Sequence, residues 1–412
     1  MKILLESAFK FAVRRGALNV IRANGERLTF GDGTGQPVTI RFTDAKAERE
    51  CGLDPELKFG ELYTDQRIVI EEGDLYALVV LLIQDMRVIK TPWPFSWVEA
   101  IKLWLARRKP ANTSKRARRN VAHHYDLGDA LYALFLDPDW QYSCAYFEND
   151  DQSLAEAQLN KKRHLAAKLR ITPDTSVLDI GCGWGGLALY LAGIAGARHV
   201  TGVTLSTEQI TRARARATAA GLDDKVAFNF QDYRNIEGKF DRIVSVGMFE
   251  HVGLGYYDTF FDLCAERLAD DGVMVLHTIG LTGPPAPTNA WATKHIFPGG
   301  HLPSLSDIVT SVQKSGLILT DVETLGPHYA RTLRAWRTNF YANQAEVLKL
   351  YDARFCRMWD FYLCMSEVAF TTNDIGLFQV QIAKDRHDLP LTRGYMEAAE
   401  QRLRTLETAS RA

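Results

Sequence analysis

"VLDIGCGWGG", residues 177–186, sets a crowd of glycines directly behind a short apolar run. Gly181, Gly183 and Gly186 fit the G-x-G-x-x-G spacing that leads from a strand into a nucleotide-binding helix. The same crowding suits other adenosine ligands, so the stretch speaks to fold before it speaks to ligand. Its surroundings agree on that fold. "SVLDI" (176–180), "HVTGVTL" (199–205), "VAFNFQ" (226–231), "FDRIVSVG" (240–247) and "GVMVLHTIG" (272–280) read as strands. Between them lie the helical patterns "WGGLALYLAGIAG", "STEQITRARARATAAG", opened by an N-cap at Ser206, and "YYDTFFDLCAERLA". "LILTDVETLG" (317–326) and "GLFQVQIAK" (376–384) can supply two further strands. This alternation predicts an α/β fold, a Rossmann-like, doubly wound and mostly parallel sheet with ligands at the carboxyl ends of its strands. A long insertion, roughly 280–310, falls over that edge.

The whole chain bounds the reading. Its 412 residues leave room for two domains, and 46% hydrophobic with 24% charged residues is ordinary for a soluble globular protein. A formal charge of -1 gives no global bias toward nucleic acid. Cys51, Cys144, Cys182, Cys264, Cys356 and Cys364 are scattered without metal-ligand spacing and read as reduced thiols of a cytoplasmic protein, with no metal site. The N-terminal "MKILLESAFKFAVRRG" is interrupted by charges, and "LYALVVLLI" (75–83) is about half a membrane span. Contact with a bilayer would therefore be peripheral.

Three linear segments follow. Residues 1–105 form a smaller N-terminal α+β domain, in which "RLTFGDGTGQPVTIRFTD" (27–44) predicts antiparallel strands around a Gly/Pro turn. Residues 106–120 are a basic linker, and 121–412 the catalytic domain. Just before and within the linker, Trp97, Ile101 and Trp104 precede Arg107, Arg108, Lys109, Lys115, Arg116, Arg118 and Arg119. That composition suits docking on an anionic bilayer surface; the bland reading is tryptophans in a core and a solvated linker.

The glycines alone leave NAD and S-adenosylmethionine (AdoMet) open, and two features favour AdoMet. The second strand ends "GVTLS" without the acidic residue that dinucleotide folds place on the ribose. Asp179, two residues before Gly181, could receive an ammonium, which AdoMet carries and dinucleotides lack.

Eight ordered motifs then settle the comparison. "HHYDLGDALYALFLDP" (123–138), "YSCAYF" (142–147), "LDIGCGWGG", "GVTLSTEQ", "MFEHVG" (248–253), "HTIG" (277–280), "FPGGHLPS" (297–304) and "HYARTLRAW" (328–336) together resemble the cyclopropane-fatty-acid synthase family, which includes the mycolic acid cyclopropane synthases. The resemblance covers about 120–385. Residues 1–105 resemble, less sharply, the N-terminal lipid-associated domain of longer bacterial members.

The resemblance implies transfer of the AdoMet methyl to the cis double bond of an unsaturated acyl chain in a membrane phospholipid, then proton loss to close a cyclopropane. It implies bicarbonate as the base, held by Cys144, Glu250, His277, Tyr329 and the backbone of Ile279. The residue types suit that task, since His277, Tyr329 and the Ile279 amide can donate and Glu250 can accept. For AdoMet it implies Tyr125, Tyr142, Ser143, Asp179, Gly181, Gly183, Gly185, Thr204, Gln209, Gln231 and Asp232, with Gln209 at the ribose and Asp232 at the adenine amino group. Tyr125, Tyr142, Tyr146, Phe147, Phe249 and Tyr329 are candidate aromatic faces for the cationic intermediate. The chain departs from the family where many relatives carry Tyr-Leu-x-x-Cys: here Tyr362 and Leu363 are followed by Cys364, Met365 and Ser366, so a nucleophilic cysteine is not expected. The inner face of the cytoplasmic membrane is the expected location, and a homodimer is compatible. Competing readings are a methyl-branching lipid enzyme, a small-molecule amine methyltransferase and a catalytically silent lipid-binding protein.

Overall fold

The computed structural model describes residues 2–85, 128–372 and 375–410. Tyr125, Trp97, Ile101, Trp104 and the basic linker 106–120 lie outside the described residues. The chain divides into two compact units. One takes in the N-terminal region together with Thr288–Pro298 and Leu333–Ile375; the other holds the described residues from 128 to Pro287, Gly299–Thr332 and the stretch from Gly376 onward. Segments 288–298 and 333–375, which the linear reading groups with the catalytic domain, thus pack with the N-terminal region.

In the first unit, strands β1 (Leu18–Ile21), β2 (Arg27–Phe30), β3 (Val38–Phe42) and β4 (Ile68–Glu72) form a sheet in the order β2-β1-β3-β4. The antiparallel pairing predicted across 27–44 does not form. β2 pairs with β1 antiparallel, and β3 pairs with β1 in parallel. The cause lies in the Gly-rich loop, which folds back on the start of β1 instead of turning a hairpin. The Gly33 N–H donates to Gly16 O (3.0 Å) and the Val38 N–H to Ala17 O (2.9 Å), so β3 starts beside the start of β1. Gly31 has φ +95 and a Cβ there would stand 2.1 Å from Gly16 O, so this return requires glycine. Helices Ala45–Leu53, Pro55–Thr64 and Leu75–Ile83 each begin on an aspartate N-cap (Asp44, Asp54 and Asp74). Helix Ala353–Thr371 joins them, with Phe361 edge-on to Trp291 (ring centroids 4.8 Å). A Cβ at Gly60 would stand 2.6 Å from both of those side chains, which explains a glycine inside a helix.

In the second unit, the described strands β5 (Ser176–Ile180), β6 (His199–Thr204), β7 (Val226–Phe230), β8 (Phe240–Val246), β9 (Leu268–Leu281), β10 (Ile318–Thr324) and β11 (Ile375–Ala383) form a sheet in the order β10-β11-β9-β8-β5-β6-β7. Pairs β5–β6, β6–β7, β5–β8 and β8–β9 are parallel, and β10–β11 is antiparallel. This is the predicted α/β, mostly parallel sheet. Its central strands are buried on both faces, which is why they read as continuous apolar runs. One apolar core packs helices Leu154–Leu169, Gly186–Gly193 and Thr207–Ala219 on the sheet; another packs Tyr257–Arg267 and Leu305–Lys314. Among the described residues no helix is long and apolar enough to cross a membrane.

Candidate active site

The chain winds from β5 through β6 to β7, then returns to the opposite side of β5 with β8 and β9. The order therefore reverses between β5 and β8, where the diverging connections leave a crevice at the strand ends. Three glycines behind β5 play different parts there. Gly181 has φ +86 and lets β5 approach the segment after β8, since a Cβ would stand 2.7 Å from Met248 Cβ. Gly185 has φ +82 and serves packing, because a Cβ would meet Phe228 Cζ at 2.6 Å and Ala213 Cβ at 3.1 Å. Gly183 has φ +54, and no heavy atom lies within 4 Å of where its Cβ would be. Gly183 is thus the glycine whose missing side chain leaves open room for a ligand.

Three ionisable groups stand at the ends of three neighbouring strands. Asp179, on β5, is 1% exposed, and burial pushes its carboxyl up to about 7 against the opposing influence of Lys161. Its Oδ2 has no hydrogen-bond partner among the described residues. Glu250 lies in the 3-10 turn Phe249–His251 behind β8, where burial likewise raises it to about 7. The Ile279 N–H donates to Glu250 Oε1 (2.6 Å), while Oε2 has no hydrogen-bond partner among the described residues. That amide, expected to face an anion, instead orients the carboxylate. His277, on β9, is buried and held well below its ordinary pKa by desolvation, so its ring is neutral. Gln379 Nε2 on β11 lies 3.2 Å from His277 Nδ1. With the amide donating, the ring proton sits on Nε2, which has no hydrogen-bond partner among the described residues and remains a donor.

Orphaned buried polar atoms are rare in folded proteins and call for a ligand or an ion. Here an acceptor beside an open glycine suits the ammonium of AdoMet. An acceptor and a donor on the adjoining strands suit a small oxyanion that carries one proton.

Of the other expected cofactor residues, Thr204, Gln231 and Asp232 stand at or just behind the ends of β6 and β7. Thr204 closes β6, and its hydroxyl donates to Gln209 Oε1 (2.9 Å), which fixes the Gln209 amide and leaves Nε2 as its donor end. Gln231 follows β7 and donates through Nε2 to Asn235 O (2.6 Å). Asp232 caps the next turn and binds Arg234 through both oxygens (2.8 and 2.6 Å), so an adenine amino group would share a carboxylate already paired. The Tyr142 ring stands edge-on to Tyr132 (5.1 Å), and Ser143 Oγ accepts from Lys161 Nζ (2.9 Å).

Cys144 is fully buried, and burial raises its thiol far above the usual range, so it is a weak S–H donor and no nucleophile. Tyr329, in helix Gly326–Ala342, is 9% exposed. Three of the candidate aromatics have faces taken by protein. Tyr146 is stacked between His164 (4.4 Å) and His328 (5.0 Å). Phe147 lies under the Arg331 guanidinium (4.0 Å), and Phe249 stacks on Tyr257 (4.4 Å) within the core. Tyr142 packs against Tyr132 and Phe135. In the first unit Cys364 is buried and pushed up to about 12, and Ser366 is half-buried on the same helix.

Two residues escaped the reading of the sequence. Gln379 could have been found, as one of two glutamines, with Gln381, inside an otherwise apolar strand. Lys161 gave no signal, because "NKKRH" reads as a solvated helix face.

The sequence matches the family described as mycolic acid cyclopropane synthetase over residues 112–380. It is 38% identical over 348 residues to the cyclopropane-fatty-acyl-phospholipid synthase of Escherichia coli (strain K12), covering 84% of this chain and 88% of that protein. It is 33% identical over 380 residues to the tuberculostearic acid methyltransferase UfaA1 of Mycobacterium tuberculosis, covering 87% and 88%. The crystal structure of the mycolic acid cyclopropane synthase CmaA1 complexed with SAH (S-adenosylhomocysteine) and CTAB superposes with a TM-score of 0.62 at 34% identity, over 64% of this chain and 97% of that one. With the glycine turn, the strand-end carboxylates and the sheet order in place, these matches establish that the chain belongs to the mycolic acid cyclopropane synthetase family of AdoMet-dependent methyltransferases.

Proposed function

We propose that this enzyme transfers a methylene unit from AdoMet to the cis double bond of an unsaturated acyl chain in a membrane phospholipid, closing a cyclopropane ring, with bound bicarbonate taking the final proton. The observation that carries the proposal is a trio of buried atoms without a hydrogen-bond partner among the described residues, Asp179 Oδ2, Glu250 Oε2 and His277 Nε2, on or just behind the adjacent strands β5, β8 and β9. AdoMet supplies an electrophilic methyl on a sulfonium. Asp179 receives its ammonium, Gly183 admits its backbone, and Gln209 Nε2 is the donor available to the ribose. Bicarbonate supplies a base that does not stay bonded to the cation. His277 Nε2–H and Tyr329 donate to it, Glu250 Oε2 accepts from its hydroxyl, and Cys144 adds a weak donor. Ile279 acts through Glu250, whose other oxygen it fixes. An alkene is a poor nucleophile, so holding it against the methyl must supply much of the rate.

The identity with the E. coli phospholipid synthase, which extends over most of both chains, supports the lipid substrate. The proposal also keeps residues 1–105 as a lipid-associated domain, 106–120 as a basic linker and 121–412 as the catalytic domain, working as a peripheral protein on the inner face of the cytoplasmic membrane. Lipids from cells expressing the chain should gain one CH₂ per modified acyl chain, with the upfield proton resonances of a cyclopropane. A second product, a methyl branch, is favoured by the identity with the tuberculostearic acid methyltransferase. When the proton leaves a neighbouring chain carbon and a double bond is kept, it adds the same mass and lacks those resonances. Unaltered lipids would overturn both.

A further inference from the structure

Helix Leu154–Leu169 buries five basic side chains, Lys161, Lys162, Arg163, His164 and Lys168. Four of them face carboxylates. Lys162 binds Asp139, Arg163 binds Glu407, His164 bridges Glu323 and Glu400, and Lys168 binds Glu323. Lys161 differs. It is 1% exposed and forms no ion pair among the described residues; its ammonium donates to Gln141 Oε1 and Ser143 Oγ. A buried cation bonded only to neutral oxygens is costly; burial lowers the Lys161 ammonium to about 8, while Asp137 and Asp139 act on it through space and hold it charged near neutral pH. Its charge is felt in turn by Asp179, His277 and Cys144.

The hydrogen-bond roles are fixed by chemistry. An ammonium has donors and no acceptor, so in the Lys161–Ser143 contact the serine oxygen must accept. A hydroxyl has one proton, and with Lys161 on its acceptor side that proton is free for a second partner. Without Lys161 the hydroxyl could turn and donate to the neighbouring Gln141 Oε1 instead. Ser143 adjoins Tyr142 in the cofactor set, and AdoMet ends in a carboxylate next to its ammonium.

We propose that Lys161 is a positioning residue of the AdoMet site: by donating to Ser143 Oγ it makes the Ser143 hydroxyl a donor to the carboxylate of the methionine part. The proposal rests on the cofactor reading above. The effect falls on the methionine end of the ligand and leaves the adenosine end alone.

That division provides the test. Calorimetric titrations compare SAH with 5′-methylthioadenosine, which keeps the adenosine and lacks both the carboxylate and the ammonium. Lys161→Met should bind SAH roughly 10- to 100-fold more weakly, the scale of a lost charge-assisted hydrogen bond, and bind methylthioadenosine unchanged. Ser143→Ala should also lose affinity for SAH alone, and the double variant should be about as weak as Lys161→Met, because the lysine works partly through the serine. Equal losses for both ligands would mean that Lys161 only supports the fold, and unchanged SAH affinity would remove its role; either overturns the proposal. Should Lys161→Met fail to fold, Ser143→Ala decides alone, since intact SAH affinity in that variant breaks the link. Wild-type protein that bound methylthioadenosine as tightly as SAH would instead sink the Asp179 reading beneath it.

Discussion

Asp179 makes cofactor binding a titration. Burial raises its carboxyl from an ordinary 3.8 to about 7, so near neutral pH it is close to half protonated before the ligand arrives. An ammonium binds the carboxylate and gains little from the neutral acid. Near pH 6 only about a tenth of the molecules carry the charge, and near pH 8 about nine-tenths do, so SAH should bind about tenfold more weakly at the lower pH. Binding near pH 6 must also expel the proton. Isothermal titration in buffers of different ionisation enthalpy should count the release of nearly one proton there and close to none near pH 8. The sign is fixed: affinity rises as pH climbs through about 7, up to the range where Lys161, lowered by burial to about 8, begins to lose its proton. Asp179→Asn keeps the shape and removes the first titration, so its weaker affinity should be flat between about pH 6 and 7. A wild-type affinity that does not change with pH over that interval, or a dependence there that survives in Asp179→Asn, would refute the assignment of Asp179 to the ammonium.

The other expectations can be put briefly. Gly183→Val should abolish SAH binding and leave the fold, because its Cβ has open space and the left-handed backbone costs only about 1–2 kcal/mol; a folded variant with intact affinity by calorimetry would mean the ligand lies elsewhere. Glu250→Gln should lose most activity while keeping SAH affinity, and the wild-type rate should fall as pH drops through about 7 and Glu250 takes up a proton; activity that persists after removal of dissolved bicarbonate would refute the base. Ser366→Ala should stay within a few-fold of wild type in the lipid methylation assay, since an unactivated hydroxyl is a weak nucleophile; a loss of several orders of magnitude with unchanged stability would restore covalent catalysis. Changing Arg107, Arg108, Lys115, Arg116, Arg118 and Arg119 to Gln should weaken sedimentation with anionic vesicles, at about 1 kcal/mol per charge near the surface, and raise KM for lipid; equal sedimentation at low salt would exclude docking through the basic run.

How much of the molecule can be read from its sequence depends on what each segment packs against. The central strands were legible because burial on both faces makes them apolar throughout. The same runs put Asp179 near the end of β5, Glu250 in the turn behind β8 and His277 level with the last residue of β8, on three neighbouring strands. The N-terminal sheet was not legible in the same way. Its parallel β1–β3 pairing is set by the loop hydrogen bonds to Gly16 and Ala17, contacts that leave no trace in apolar periodicity. The aromatic candidates failed for a related reason. Sequence shows that a ring is present and cannot show that histidines cover both faces of Tyr146.

Helix Leu154–Leu169 carries this point furthest. Its "NKKRH" looks like a solvated face, yet Lys161 through His164 are all buried. The C-terminal helix Gly394–Ala409 supplies much of the cover, with Glu407 receiving Arg163 and the Tyr190 hydroxyl and Glu400 receiving His164. Arg163 and His164 find partners 244 and 236 positions away in Glu407 and Glu400, so no local window of sequence could foresee their burial. The arrangement also bears on the site. Ion pairs on several sides fix the helix in rotation, and that rotation turns Lys161 toward Ser143 while its neighbours face their carboxylates. A charged helix buried in this way gives up stability that an apolar one would keep, because desolvation offsets much of the attraction within each pair. What it retains is one ammonium held at a fixed place beside the expected cofactor contacts, where an apolar residue of equal volume could pack and could orient nothing.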